Sequence, residues 1–142
     1  MTDALLAEHE LAQKLIQCPS VTPAEAGTLD VLDAHLTGCG FHVTRLPFGE
    51  GADMVDNLFA RRGTSAPHFC FAGHSDVVPP GAVEAWQTDP FAGAIVDNHM
   101  IGRGAVDMKG AIACFAAALS QWLDINADFT GSISMLITCD EE

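Results

Sequence analysis

Three short stretches carry side chains whose types and spacing could do chemistry: Gly73-His74-Ser75-Asp76, Gly102-Arg103-Gly104-Ala105-Val106-Asp107 and the terminal Asp140-Glu141-Glu142. His74 and Asp76 stand two apart just after a short apolar run. A metal-bound imidazole needs its second nitrogen held by a carboxylate or carbonyl, and Asp76 is near enough in sequence to do this. A polar loop entry around a hydrogen-bonded histidine is the plainer reading of the same pair. Asp107 directly precedes the strongest helical pattern in the chain. An aspartate there is a favoured N-cap and suits the helix dipole, so a cap alone would account for it. A cap leaves the glycines at 102 and 104 unexplained, which point to a close backbone approach. A carboxylate with two oxygens can also bridge two cations. The run Asp140-Glu141-Glu142 reads by itself as a solvated end. Neighbouring carboxylates in a loop can also diverge, one ligating a metal while the other takes a proton from water, a division that suits hydrolysis. One imidazole plus several carboxylates fits Zn²⁺, with Mn²⁺ or Co²⁺ as substitutes. Arg103 and Lys109 read as surface or ion-pair residues and receive no role.

The elements that must position these groups follow from periodicity. Asp3 to Gln17 reads as an amphipathic helix with Leu5, Leu11, Ala12, Leu15 and Ile16 on one side, stopped by Pro19. Pro23 to Thr37 reads as a second helix through Leu29, Leu32 and Leu36, with Gly38 and Gly40 supplying a cap and turn. Phe41–Leu46 and Asn57–Arg61 read as strands, and His68–Ala72 as a buried central strand ending at Gly73. Ala94–Val96 and Met100–Ile101 flank a hairpin turn at Asp97-Asn98. Met108 to Leu123 has Met108, Ile112, Phe115, Ala116, Leu119 and Leu123 at helical spacing, and Ser132–Thr138 alternates as a strand. Helices interleaved with short apolar strands predict an α/β fold, a mixed sheet flanked by helices on both faces. All three chemical stretches then fall at strand ends, where open α/β sheets build their sites.

Bulk properties narrow the function. With 142 residues, 49% hydrophobic, the chain can bury the core of one domain and is not a disordered linker. A net charge of −13 lacks the basic footprint of a nucleic-acid binder and suits a cation-binding chain. No apolar run reaches the length of a membrane span. The acidic N-terminus lacks the positive region of a secretory leader, so cytoplasm is the expected location. Mean hydropathy of +0.22 is high, as though some apolar surface meets segments not present here. Five cysteines (Cys18, Cys39, Cys70, Cys114 and Cys139), odd in number and never in a C-x-x-C pair, read as reduced thiols packed inside as small hydrophobes.

In their order along the chain, Gly-His-Ser-Asp-Val-Val-Pro-Pro-Gly (73–81), Gly-Arg-Gly-Ala-Val-Asp-Met-Lys-Gly (102–110) and Asp-Glu-Glu (140–142) closely resemble the co-catalytic zinc aminoacylase and carboxypeptidase family. Cys18-Pro19-Ser20-Val21-Thr22-Pro23, Asn57–Gly63 and Trp86-Gln87-Thr88-Asp89-Pro90-Phe91 extend the resemblance over nearly the whole chain. It implies a zinc-peptidase-like catalytic domain with two Zn²⁺ ions. His74 would bind one ion, Asp107 bridge both and Glu142 bind the other; Glu141 would be the general base and Asp76 would orient His74. The implied reaction is hydrolysis of an N-acyl amide, with N-succinyl-LL-2,6-diaminopimelate as the expected small-molecule substrate. An acetylornithine deacetylase-like or related zinc aminoacylase or peptidase activity is the alternative the resemblance allows, and a non-catalytic metal-binding fragment the alternative role. The chain is shorter than half the usual family length. A later carboxylate, a later histidine and the inserted lid domain that makes a homodimer are therefore expected beyond residues 1–142, which would be the N-terminal part of the catalytic domain. Cys139 stands where a small residue is common, and the hairpin at Asp97-Asn98-His99-Met100 also departs from the family pattern, so His99 is expected at the surface.

Overall fold

The computed structural model describes residues 2–142, with side chains described from residue 9 onward, so the expected burial of Leu5 lies outside the described residues. Helix α1 (Thr2–Ile16) buries Leu11, Ala12, Leu15 and Ile16, the apolar side of the predicted amphipathic pattern. Helix α2 is Thr28–Gly38, starting later than the sequence reading placed it. The physical reason is Glu25, whose carboxylate accepts from the amides of Gly27 (3.0 Å) and Leu29 (3.3 Å), holding residues 24–27 in a turn while satisfying the helix's free N–H groups. At its other end the Gly40 amide donates to Thr37 O and the Phe41 amide to Leu36 O, with Gly40 at φ 79°. That is the left-handed glycine cap expected there.

Strands β1 (His42–Arg45), β2 (Leu58–Arg62), β3 (His68–His74) and β6 (Ser132–Thr138) form one sheet in the order β1-β2-β6-β3. A two-stranded hairpin, β4 (Ala94–Val96) and β5 (His99–Ile101), lies apart from it, and helix α3 (Lys109–Ile125) precedes β6. The hairpin turns through Asp97 and Asn98 at φ 49° and 62°, the left-handed pair that a two-residue turn requires. β2 is antiparallel to both β1 and β6, whereas β3 and β6 are parallel, with His74 opposite Thr138. This is the expected mixed sheet with flanking helices. Leu58, Ala60, Met135 and Ile137 face one way and share a single core with Leu15, Leu29, Leu32, Leu36 and Ile112 from the three described helices. Each such fully buried aliphatic side chain contributes about 1.5–3 kcal/mol.

β3 is not the buried central strand that its composition predicts. Among the described residues it pairs with β6 alone, and Cys70 is exposed while Phe69 keeps 56% of its surface accessible. A continuous apolar run signals contact on two faces, but the interior positions of the sheet belong to β2 and β6. The exposed aromatic edge continues onto α3, where Phe71 stacks on Phe115 at 4.4 Å and Trp122 packs edge-on to Phe129. Phe69, Leu119, Trp122 and Ile133 line an apolar groove there of about 340 Å³. The cysteines also depart from expectation: all five are free thiols, but only Cys139 is fully buried, with Cys70 and Cys114 exposed on the edge strand and on α3. Among the described residues no helix is long and apolar enough to cross a membrane.

Candidate metal centre

Parallel pairing brings the chemistry together. β3 and β6 run in the same direction and end side by side, so His74 and the residues after Thr138 leave the sheet at one edge. The connection between two parallel strands must return, and its helix starts at that same edge. α3 therefore begins beside His74, with Asp107 two residues ahead of it. One ligand atom each from His74, Asp107 and Glu142 lie within 4.8 Å of one another. His74 Nε2 is 3.1 Å from Asp107 Oδ1 and 3.6 Å from Glu141 Oε2. The five residues singled out in the sequence thus form one cluster, with His74 and Asp76 buried and the carboxylates of Asp107 and Glu141 open to solvent.

Asp107 is not a helix cap. The N-cap of α3 is Met108, and among the described residues no side-chain cap hydrogen bond is made there. The glycines that a cap left unexplained have steric reasons. A Cβ on Gly102 would lie 2.5 Å from Ile16 Cγ2, and one on Gly104, at φ 80°, 2.5 Å from Val77 Cγ1. These approaches press the loop onto α1 and onto the segment after β3, which fixes where Asp107 emerges.

Asp76 ties the two halves of the cluster. Its main-chain oxygen accepts from His74 Nδ1 at 3.1 Å, while its carboxylate Oδ1 lies 3.5 Å from the same nitrogen. Its other carboxylate oxygen, Oδ2, accepts the amides of Glu141 at 3.0 Å and Glu142 at 3.1 Å. With Nδ1–H committed to Asp76, Nε2 is the nitrogen that faces Asp107 and Glu141. Burial, the largest influence on His74, lowers its pKa, but the Asp107 bond and the Asp76 and Glu141 charges together outweigh it and leave the imidazole raised.

Support beneath the cluster comes from residues to which the sequence reading gave no function. Thr28 Oγ1 donates to Glu25 O (2.8 Å), so the Ser75 hydroxyl donates to Thr28 (2.9 Å) and the Cys139 thiol to Ser75 (3.2 Å). Burial pushes the Cys139 thiol up to about 11, and its Sγ is held against Ser75, outside the His74–Asp107–Glu142 group. Ser20 Oγ donates to Ser75 O at 2.6 Å, and Thr22 Oγ1 to Asp140 Oδ1 at 3.1 Å, binding the segment after α1 to both strand ends. Lys109 is fully buried, contrary to the surface or ion-pair reading. Its Nζ donates to Cys18 O at 2.7 Å, and burial pushes its pKa down to about 8. The stretch Cys18–Pro23 was the available signal for this layer. His99 is exposed, as expected, with Nδ1 bonded to Asp97 O.

Comparison with known proteins gives a consistent result. Residues 70–142 match the model of Peptidase family M20/M25/M40. The succinyl-diaminopimelate desuccinylase of Rhodospirillum centenum is 57% identical over 133 residues, covering 93% of this chain and 34% of that protein. Human carnosine dipeptidase 1 superposes with a TM-score of 0.79 at 24% identity, over 96% of this chain and 33% of that one. The M20 family metallo-carboxypeptidase Sso-CP2 from Sulfolobus solfataricus gives 0.78 at 21%, over 98% of this chain and 31% of that one. The chain spans about a third of the length of the curated relatives it matches.

Proposed function

The chain belongs to peptidase family M20/M25/M40, and from that membership we propose that it forms the N-terminal part of a zinc-dependent amidohydrolase. The reaction we assign to the complete enzyme is N-succinyl-LL-2,6-diaminopimelate plus water giving succinate and LL-2,6-diaminopimelate. The observation that carries the reading is the convergence of His74, Asp107 and Glu142 within 4.8 Å, in a chain 57% identical to a desuccinylase. A donor set of one imidazole nitrogen and two carboxylates fits Zn²⁺, with Co²⁺ or Mn²⁺ as substitutes. His74, Asp107 and Glu142 are the residues of this chain that would hold the metal, with Asp107 the one that would be shared if two ions bind. When bound, the ions polarise the amide carbonyl and lower the pKa of the attacking water.

The chain's own residues supply the rest. Glu141 is the general base, since its carboxylate stands 3.6 Å from His74 Nε2, beside the ligands but outside the three-residue cluster. It takes a proton from water as the oxygen adds to the carbonyl carbon, then delivers it to the amide nitrogen as the C–N bond breaks. Asp76 is a positioning residue. Its carbonyl fixes the His74 tautomer, and its carboxylate anchors the backbone from which Glu141 and Glu142 project. Replacing Glu141 with alanine in the full protein that carries this chain should lower kcat by about 10²–10⁴. Elemental analysis should find its zinc content unchanged. Turnover retained in that variant would remove the base assignment.

The cluster itself favours a second reading for residues 1–142 on their own. Two ions sharing Asp107 would have two protein ligands each, short of the usual set. Residues 1–142 by themselves then bind metal weakly and do not turn over substrate, with the remaining ligands, the lid and the homodimer contact supplied elsewhere. Desuccinylation by these residues alone at an enzymatic rate would refute it. An activity screen of the complete protein against N-succinyl and N-acetyl amino acids separates the assigned substrate from the acetylated alternative.

A further inference from the structure

Arg103 lies in the middle motif but takes no part in the cluster described above. It shares a cavity of about 300 Å³ with Asp107 and Glu142, and no other basic residue lines that cavity. In a chain of net charge −13 a guanidinium ordinarily finds a protein acceptor. Arg45 pairs with Asp30 and Asp56, Arg61 bonds Ser132, Arg62 bonds two main-chain oxygens, and Lys109 bonds another. Arg103 has no hydrogen bond or ion pair from its side chain among the described residues. Its Nε is buried without a partner, and its guanidinium lies over the Trp86 ring at 5.2 Å. Trp86 is itself held by its indole N–H, which donates to Pro80 O at 2.9 Å. The charge is thus fixed in direction by stacking and burial, while its outer donors remain unspent.

We propose that Arg103 is a binding subsite for a carboxylate of the substrate, set beside the metal centre; this rests on the amidohydrolase reading above. The planar guanidinium presents two parallel N–H donors to a carboxylate, a geometry that an ammonium lacks. The walls agree with a substrate that is charged at an end and apolar between. Val78 and Val106, on the same cavity, keep 38% and 93% of their surface exposed and can cover methylene groups. The overall negative charge of the chain repels an anion at long range, so a local cation is needed to bring one to this edge. The proposed substrate has such carboxylates on both its acyl half and its amino-acid half, and the two hydrolysis products separate them.

The test uses the full protein that carries this chain, loaded with Zn²⁺, and titrates succinate and LL-2,6-diaminopimelate calorimetrically. Arg103→Met should weaken one of the two by about tenfold or more, the loss of a charged hydrogen-bond pair. Arg103→Lys should recover part of that loss, and zinc per protein should stay at the wild-type value. A selective loss for succinate assigns the acyl carboxylate; a selective loss for diaminopimelate assigns the amino-acid carboxylate. Arg103→Gln, which keeps a planar polar head, replaces the methionine variant if that one does not fold. Affinities for both acids within twofold of wild type, with zinc retained, overturn the proposal, as does a zinc-loaded wild type that binds neither acid. A wild type that takes up no zinc is a different failure: it removes the amidohydrolase reading underneath.

Discussion

Replacing Asp76 with asparagine exchanges one carboxylate oxygen for an NH₂ group at the point where both halves of the cluster are joined. In the native chain Oδ2 accepts two amides, from Glu141 and Glu142, and the residue is fully buried. A buried hydrogen bond to a charged acceptor contributes about 1.5–3 kcal/mol and a neutral one about 0.5–1.5, so neutralising the acceptor of two bonds costs roughly 2 kcal/mol. The asparagine oxygen must face those amides, which turns its NH₂ toward His74 Nδ1, now 3.5 Å from Oδ1. Two donors then oppose each other across that contact, which strains the imidazole against the bond Nδ1–H still makes to the Asp76 main-chain oxygen. Alanine removes both acceptors and leaves two amides unpaired, about 3–5 kcal/mol in all. Urea unfolding measures the stability change. Equilibrium dialysis against buffered zinc measures the effect on the ligands, expected as a 10–100-fold loss of affinity in the asparagine variant. Stability within about 0.5 kcal/mol of wild type, the range of an uninvolved surface change, together with unchanged zinc affinity, would refute the idea that Asp76 organises both sides.

Gly104→Ala should destabilise the chain by roughly 2–5 kcal/mol, from a left-handed backbone and a Cβ pressed against Val77, read by thermal unfolding. The Cys139 thiol titrates near 11 in the folded chain against an ordinary 9, so below pH 9 both states hold the proton and nothing is lost. Between about pH 9 and 11 the unfolded chain releases it first, and stability falls by up to roughly 2–3 kcal/mol relative to the Cys139→Ser variant, checked by urea unfolding at each pH. Asp107→Asn should destabilise the zinc-free chain only slightly, by about 1 kcal/mol or less, because the hydrogen bond from His74 Nε2 to an exposed carboxylate is weakened while no helix cap is lost. The same variant should lose most of the upward shift in Tm that added zinc gives the wild type, and chelation should reverse the wild-type shift, both followed by calorimetry.

What was legible in the sequence depended on whether a local pattern decided the outcome. The α3 periodicity and the Asp97-Asn98 turn are settled within a few residues of chain, and both formed as read. The start of α2 was missed because a single side chain, Glu25, competes with the helix for its own amides. β3 was misplaced because apolar composition reports burial and not strand order, and order is set by pairing with a segment more than sixty residues away. The same nonlocal pairing assembles the cluster. Residue types marked the three stretches and the family resemblance picked His74, Asp107 and Glu142 from them, but only the parallel register of β3 on β6 brings them to one edge. Lys109, Cys139 and Ser75 carried no local signal, since a buried lysine and a surface lysine read alike in one sequence. Arg103 was passed over for the same reason: its lack of an acceptor is a property of everything around it.

The contacts around His74 have a consequence for how the cluster meets a cation. Nδ1 is 3.1 Å from the Asp76 carbonyl and Nε2 is 3.1 Å from Asp107 Oδ1, and both neighbours are acceptors. A proton on Nε2 makes the second contact a hydrogen bond, and the carboxylates facing His74 favour that protonated form, which is why its pKa is raised. A ligating imidazole has to give up the Nε2 proton while Nδ1–H stays with Asp76, so binding a cation and releasing that proton are one event. The proton and the metal satisfy the same demand, positive charge between Asp107, Glu141 and Glu142, and the divalent ion brings twice the charge and draws on several oxygens at once. The mutual repulsion of these three carboxylates is tolerated because solvent reaches Asp107 and Glu141, and in the metal centre proposed above a bound cation would offset it.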